Sequence, residues 1–225
     1  MTFHGMIELP VPSLDGNVSV EDAINKRRSF REFTDQPLSM ADLSQCVWSA
    51  QGITGSDGKK VTPSAGAVYP VTLYVVIGVI DNLSAGLYRY EPNRHTLEAI
   101  RAGELRAQLR DAAFEEQPWI GQAASILVIA ADISKASSTF QQQPRPLLPA
   151  RLYLLHPWSR PAGQRGFRYI YMEVGAIAEN VYLQGQTIGV GVVFIGGFDD
   201  QKVTDVLKLP SPYTPIGLVC LGRTP

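Results

Sequence analysis

The sequence predicts a single domain of the α+β class. Its 225 residues are close to the usual size of one domain. Runs dense in β-branched residues alternate with amphipathic stretches that begin at helix-capping residues, so strands and helices are interleaved. Turn residues also interrupt the order expected of strand–helix–strand repeats. We therefore expect hairpins and non-sequential strand pairing rather than a strict βαβ repetition.

The amino-terminal part is predicted to contain an extended arm followed by two helices. The arm, residues 1–18, contains two prolines that bar a helix. Ser19 is a candidate N-cap for the first helix, with two carboxylates in the first turn. A second helix is predicted to begin at Ser39 and to end at Gly52. Residues 51–70 are rich in glycine, serine and proline and are predicted to be a loop.

The rest of the chain alternates between buried strands and helices. The predicted strands are 71–80, 86–90, 96–100, 125–131, 190–195 and 216–221. Because Pro92-Asn93 separates the second and third of these, they are predicted to form a hairpin. The predicted helices are 104–114, 168–188 and 200–209, the last capped by Asp199.

Composition excludes several classes of protein. The chain has 20 Lys+Arg against 21 Asp+Glu, which gives no electrostatic case for binding nucleic acid or an anionic membrane. Cys46 and Cys220 are the only cysteines, and the three histidines are scattered, so neither a disulfide scaffold nor a metal site is predicted. Both cysteines are predicted to be core residues. No apolar run approaches about 20 residues, and we expect a cytoplasmic protein.

The near-zero net charge conceals one asymmetric stretch. Residues 133–172 contain no Asp or Glu but carry six basic side chains. Within them, residues 139–163 are rich in proline, yet too apolar for a plain disordered linker. A structureless stretch of this length inside a compact domain is typically a lid or a binding loop. We interpret residues 139–163 as an ordered excursion that covers something.

Three short motifs are candidates for ligand binding. Arg27-Arg28-Ser29-Phe30-Arg31 follows the first helix and offers three guanidinium groups and a hydroxyl to a phosphate. The alternative is a solvated basic helix end. The small residues around 63–67 would let backbone approach a flat ligand, although a simple turn explains them equally well. Gly196-Gly197 follows a buried strand and could present backbone amides to a ligand.

The order and spacing of these motifs resemble the FMN-dependent nitroreductase family, and within it the branch of thiazole/oxazole-forming (azoline) dehydrogenases. The resemblance runs almost from end to end. The matching segments are SVEDAI at 19–24, RRSFREF at 27–33, PSAGAVYP at 63–70, GLYRY at 86–90, GFRY at 166–169, AEN at 178–180 and GGFD at 196–199. The resemblance implies a three-layer α/β/α sandwich with a central, mostly antiparallel sheet flanked by helices. It also implies an intertwined homodimer with FMN at its interface and the long helix in the dimer core.

The resemblance assigns cofactor binding residue by residue. The residues assigned to FMN are Arg27, Arg28, Ser29, Arg31, Pro63, Ser64, Ala65, Gly66, Ile195, Gly196, Gly197 and Arg223. The arginines at 27 and 223 would contact the phosphate, and Arg31 would approach the pyrimidine edge, where a cation favours the reduced flavin. Residues 63–66 would come from the partner subunit. Gly196 and Gly197 would offer amides to the N5 side of the ring.

The implied activity is a ping-pong hydride transfer from NAD(P)H through flavin N5 to a nitro, quinone or similar acceptor. Because the flavin carries the difficult step, we assign no catalytic side chain. Two alternatives stay open: a flavin-dependent dehydrogenase of natural-product biosynthesis, and a flavin-binding pseudoenzyme or subunit of a complex. The partners implied are a second copy of the chain, NAD(P)H and a small-molecule acceptor.

One departure from the azoline branch lies beside the proline-rich segment. The Lys-Tyr pair common in that branch is absent, and Gln164 replaces an Asp in the segment that should follow it. One hypothesis makes residues 139–163 a lid over the flavin, and the alternative is a solvated surface loop. The lid hypothesis places four side chains near substrate: Tyr153, Trp158, Arg151 and Arg160.

Overall fold

The computed structural model describes residues 5–140 and 165–225, and within them seven strands form one sheet. The strands are β1 (Met6–Glu8), β2 (Val71–Ile77), β3 (Gly86–Glu91), β4 (Thr96–Ala102), β5 (Ser125–Asp132), β6 (Gly191–Ile195) and β7 (Tyr213–Gly222). Their order across the sheet is β1-β4-β3-β2-β5-β7-β6. Every neighbouring pair is antiparallel, so the expectation of hairpins and non-sequential pairing is confirmed.

Seven helices lie in the described ranges and cover both faces of the sheet. They are α1 (Val20–Lys26), α2 (Met40–Gln51), α3 (Arg106–Ala112), α4 (Trp119–Gln122), α5 (Ile133–Thr139), α6 (Arg165–Ile188) and α7 (Asp200–Leu207). Alternate residues of a strand face opposite sides, so Val75 of β2 packs with α2, α5 and α6 while Val76 packs with α3, α4 and α7. The predicted three-layer α/β/α sandwich is confirmed.

The predicted starts of α1, α2 and α7 are confirmed by their capping hydrogen bonds, whereas α6 begins at Arg165, three residues before the predicted start at 168. The Ser19 side chain accepts from the Asp22 amide at 3.1 Å, which caps α1. Ser39 and Asp42 form a reciprocal capping box at the start of α2. Asp199 accepts from the Lys202 amide at 3.0 Å and caps α7. These starts depend on local side chains, which is why the sequence reveals them.

Three short elements differ from the sequence prediction. The amino-terminal arm is not merely extended, because β1 pairs with β4 through Met6 and Glu98. Three residues are too few to show an alternating pattern, so only the distant partner strand reveals β1. A single turn, α4, and the Ser/Thr-rich α5 were also not predicted. The Asp132 side chain caps α5 by accepting from the Lys135 amide at 2.9 Å.

The structure places both cysteines in the hydrophobic core. Cys46 and Cys220 are fully buried in the cores on opposite faces of the sheet, so the core prediction for both thiols is confirmed. None of the described helices is long and apolar enough to cross a membrane. No group of His, Cys, Asp and Glu side chains suited to a metal ion occurs in residues 5–140 and 165–225.

Candidate functional site

Residues 27–31, here called the arginine turn, leave α1 and run onto the edge strand β6. The Phe30 amide donates to the Val192 carbonyl of β6 at 3.0 Å. Farther along, the Thr34 amide donates to the Arg223 carbonyl at 2.8 Å, just beyond β7. The segment that carries the basic residues is therefore tied to the sheet by backbone hydrogen bonds where it leaves α1.

Tyr182 of α6 fastens the arginine turn from the other side. The tyrosine oxygen accepts from the Phe194 amide at 2.8 Å and lies 2.9 Å from Ser29 Oγ. Either hydroxyl of the Ser29–Tyr182 pair can donate to the other, because a hydroxyl oxygen has one proton and two acceptor sites. The Arg27 guanidinium lies 5.1 Å from the centre of the Tyr182 ring, a cation–π contact. One phenol therefore links the helix, the edge strand and the turn.

The cations of the arginine turn are poorly compensated. Arg27 Nε is 3.9 Å from the Glu179 carboxylate, at the limit of an ion pair. Arg28 donates to the carbonyls of Asn25 and Arg27, and exposed Arg31 lies 5.9 Å from the Trp119 ring. Within the described residues, no carboxylate pairs with Arg28 or Arg31. A rigid backbone carrying uncompensated guanidinium groups can bind a phosphate.

The other end of β6 carries the two glycines. Ile195 is buried, whereas Gly196 is exposed and Gly197 is half-buried. Neither glycine has a positive φ, and a Cβ atom would come no closer than 3.5 Å to a neighbour at Gly196 and 4.0 Å at Gly197. The packing of this chain therefore does not require glycine at either position. Because the two glycines have no side chains, this end of the strand leaves room for a ligand beside the backbone.

Residues 63–66, here called the small-residue segment, lie against α6. Ser64 Oγ donates to the Glu173 carboxylate at 2.5 Å and accepts from the Tyr69 amide at 3.0 Å. Gly66 has a φ of 58°, a left-handed conformation that favours glycine. Pro63 and Gly66 are exposed, and Ser64 and Ala65 are half-buried. The segment therefore presents backbone and small side chains to its surroundings.

The small-residue segment and the arginine turn do not meet within one chain. Ser64 contacts α6 at Glu173, whereas Ser29 contacts α6 at Tyr182. Nine residues of helix correspond to a rise of about 13 Å. The two groups of predicted cofactor residues thus lie at separate levels of α6.

Arg223 is already paired with a carboxylate. Its Nη2 lies 2.6 Å from the Asp42 carboxylate at the start of α2, and Nη1 donates to the Gly189 carbonyl at 3.2 Å. A phosphate would share this guanidinium with Asp42, so the phosphate role of Arg223 stays a prediction. The four residues predicted to contact substrate lie outside the described residues: Tyr153, Trp158, Arg151 and Arg160.

Three residues of the site were assigned no role there from the sequence. Tyr182 and Glu173 are spaced along one amphipathic helix, where a tyrosine and a glutamate carry no separate signal. Trp119, which Arg31 approaches, belongs to the short helix α4. Their contacts join residues far apart in the chain, such as Ser29 and Tyr182, which are 153 positions apart.

Comparisons with known proteins agree with this architecture. The sequence profile of the nitroreductase family matches residues 24–223. A nitroreductase-family protein of Methanocaldococcus jannaschii is 35% identical over 217 residues, which is 96% of each chain. The crystal structure of a nitroreductase-family protein from Ralstonia eutropha superposes with a TM-score of 0.76 at 28% identity, covering 100% of this chain and 92% of the other.

Two more distant relatives have more specific names. An FMN reductase (NADPH) of Bacillus subtilis is 23% identical over 209 residues, covering 92% of this chain and 66% of that protein. The trifolitoxin operon protein TfxC of Rhizobium leguminosarum is 27% identical over 137 residues, covering 54% of this chain and 38% of that protein. The second likeness is consistent with the predicted resemblance to the azoline dehydrogenase branch.

Proposed function

The chain belongs to the nitroreductase family, and from that premise we propose that it is an FMN-dependent oxidoreductase. In this proposal it transfers a hydride from NAD(P)H, through the flavin, to a nitro, quinone or similarly conjugated acceptor. The likeness to an FMN reductase (NADPH) supports both the cofactor and the electron donor. The uncompensated guanidinium groups of the arginine turn are the observation that carries the proposal.

The residues present fit a flavin mononucleotide. The arginine turn is tied to β6 at Val192, and the two glycines follow β6 four residues later at Gly196. Four residues of strand span about 13 Å. This spacing along one edge strand supports a site with a phosphate at the arginine turn and a flat ring beside the glycines. We propose that Arg27, Arg28 and Ser29 hold the phosphate and that the glycine backbone faces the ring.

The protein's part in the reaction is to bind and orient. Bound FMN supplies a two-electron carrier that takes hydride from the nicotinamide and passes it to the acceptor, with protons exchanged with solvent. Arg31 is exposed above the Trp119 ring and carries no paired carboxylate among the described residues. Its positive charge would stabilise negative charge that develops on the reduced cofactor. No acid–base side chain is required by this scheme.

We propose that the functional unit is a homodimer. On α6, Tyr171 and Met172 are 58% and 62% exposed, and Phe167 precedes Tyr171 by one helical turn. On α1, Val20 and Ile24 are also exposed and are one turn apart. Large apolar side chains grouped on two neighbouring helices are typical of a protein interface. A second copy would also bring its small-residue segment towards the arginine turn, from which it is separated in one chain.

Two measurements test the proposed function. The purified chain should show the absorption bands of a flavin, or acquire them when FMN is added. It should then consume NADPH or NADH in the presence of a quinone or a nitroaromatic acceptor. Protein that stays colourless with added FMN would reject the proposal.

A second candidate function is a flavin-dependent dehydrogenase of natural-product biosynthesis. The likeness to a trifolitoxin operon protein favours it. Such an enzyme would bind FMN but would not use NAD(P)H as its electron donor. Flavin binding without NAD(P)H consumption would therefore favour this alternative, or a non-catalytic subunit of a complex.

A further inference from the structure

A buried carboxylate lies behind the small-residue segment. Glu173 of α6 is only 3% exposed. Its Oε2 atom accepts from Ser64 Oγ at 2.5 Å. Its Oε1 atom is buried and makes no hydrogen bond of normal length to the described residues, although the Gln51 side chain faces the carboxyl group. No Lys, Arg or His of those residues lies within ion-pair distance of it. Among the described side chains, only the Ser64 hydroxyl therefore lies at normal hydrogen-bond distance from the carboxylate, which is unusual for a buried charge.

The charge on Glu173 opposes folding. Burial raises the pKa of this carboxyl, and the Ser64 hydrogen bond and Lys60 lower it only in part. Gln51 and Lys135, the other groups facing it, act in the same direction as Lys60. Because the pKa is raised in the folded state, the ionised form costs free energy of folding. A side chain that is kept at a cost in stability suggests a role in function.

Glu173 determines what Ser64 can offer to a ligand. A serine hydroxyl has one proton and two acceptor sites. The proton is directed to Glu173, and one acceptor site is filled by the Tyr69 amide at 3.0 Å. The remaining site can only accept a hydrogen bond. A ligand that meets Ser64 must therefore present an O–H or N–H donor to it.

The same hydroxyl supports a strained backbone. Ala67 and Tyr69 have positive φ values of 51° and 47°, which cost energy in residues other than glycine. Tyr69 is held by three contacts. Its amide donates to Ser64, its hydroxyl accepts from the Lys60 amide at 3.3 Å, and its carbonyl accepts from Lys135 Nζ at 3.3 Å. Strain that is fixed by several contacts is typical of binding sites.

We propose that Glu173 is a positioning residue of the flavin site and acts through Ser64. Its carboxylate turns the Ser64 hydroxyl into an obligate acceptor for a donor group of the ligand, and it fixes the left-handed backbone that follows. The proposal rests on the proposed function, since residues 63–66 are assigned to the cofactor there. Glu173 need not touch the cofactor itself.

The experiment compares FMN affinity and stability in four variants. They are Glu173→Gln, Ser64→Ala, the double variant, and the control Ser125→Ala. The control removes a buried serine hydrogen bond to the Val76 carbonyl at 3.0 Å, on a central strand of the sheet. The dissociation constant for FMN is measured by fluorescence titration of the flavin-free protein, and the melting temperature by circular dichroism.

The two readouts should move in opposite directions for Glu173→Gln. The amide still accepts from Ser64 but more weakly than a carboxylate, so FMN should bind about fivefold more weakly. The melting temperature should be unchanged or higher, because a buried charge is removed. Ser64→Ala should weaken FMN about tenfold. The double variant should be no weaker than Ser64→Ala, since Glu173 acts through Ser64. Ser125→Ala should lower the melting temperature and leave FMN affinity unchanged.

A pH series gives a third readout. The ratio of the dissociation constants of Glu173→Gln and the unaltered chain should fall towards one as the pH is lowered and the carboxylate of the unaltered chain is protonated. Because burial raises the pKa of Glu173, this fall should begin at a higher pH than for an exposed glutamate. The phosphate of FMN titrates equally in both proteins and cancels in the ratio.

Distinct results overturn the inference and the proposed function. If the unaltered chain binds FMN but Glu173→Gln binds it equally well, the inference is wrong and the proposed function stands. Multiplicative effects in the double variant, or a ratio that does not change with pH, overturn the inference in the same way. An unaltered chain that binds no FMN overturns both.

Discussion

Replacing Gly197 by alanine should have opposite effects on the stability of the fold and on the affinity for a ligand. The residue has no positive φ, and the added Cβ would meet its nearest neighbour, Phe114 Cδ2, at 4.0 Å. The substitution therefore creates no clash and restricts the unfolded chain. It should stabilise the flavin-free protein by about 0.4–1 kcal/mol, which raises the melting temperature by about 1–4 °C for a domain of this size.

Gly166→Ala is the matched control. A Cβ there would lie 2.7 Å from the Ser137 amide nitrogen and 2.8 Å from the Ala136 carbonyl carbon. Backbone atoms cannot move aside as a flexible side chain can, so the overpacking should cost about 1–3 kcal/mol. The melting temperature should fall by about 2–12 °C. The two glycines thus predict opposite signs for the same chemical change.

The FMN affinity of Gly197→Ala decides the role of the strand end. If the backbone at Gly197 faces the ring, a methyl group placed there should weaken binding about tenfold or more, despite the gain in stability. Fluorescence titration and circular dichroism on the same preparation measure both quantities. Unchanged FMN affinity, or a fall in melting temperature like that of Gly166→Ala, would refute the reasoning.

Three further predictions concern the arginine turn, a half-buried histidine and the thiols. Arg27→Ala should weaken FMN binding by about 1.5–3 kcal/mol, or about 10- to 150-fold. Riboflavin lacks the phosphate and should bind to the variant as it does to the unaltered chain. An equal loss of affinity for both ligands would contradict the phosphate role of Arg27. His95 has a left-handed φ of 50° that asparagine tolerates, and its Nε2 lies 2.7 Å from Ser44 Oγ. Burial lowers the pKa of His95, so the unfolded state binds the proton more readily, and stability should fall as the pH drops below about 6.5. The melting temperature of His95→Asn should fall less on acidification than that of the unaltered chain. An equal fall in the two proteins would show that His95 is not the titrating group. Burial raises the pKa of Cys46 to about 12 and also raises that of Cys220. A thiol reagent should therefore label neither cysteine in the folded protein and both in denaturant. Rapid labelling of the folded protein would contradict their burial.

Elements with local signals were predicted from the sequence, and elements without them were not. Ser19, Ser39 and Asp199 each cap a helix by accepting from an amide three residues later. A short local sequence is therefore enough to predict their roles. Strand β2 has a continuous β-branched run. Strand β1 has only three residues, and its pairing with β4 depends on a partner some ninety positions away.

The features of the candidate site also differ in whether they depend on residues close in the chain. The sequence by itself determined the α+β class, the position of the arginine turn after a capped helix, and the glycines at a strand end, because each depends on residues close in the chain. Only the tertiary structure decided that Arg223 pairs with Asp42, 181 positions away, and that Glu173 is buried against Ser64, 109 positions away. It also decided that the arginine turn and the small-residue segment lie at different levels of α6. The physical reason is that burial and ion pairing depend on which elements pack together, and packing is a property of the whole chain.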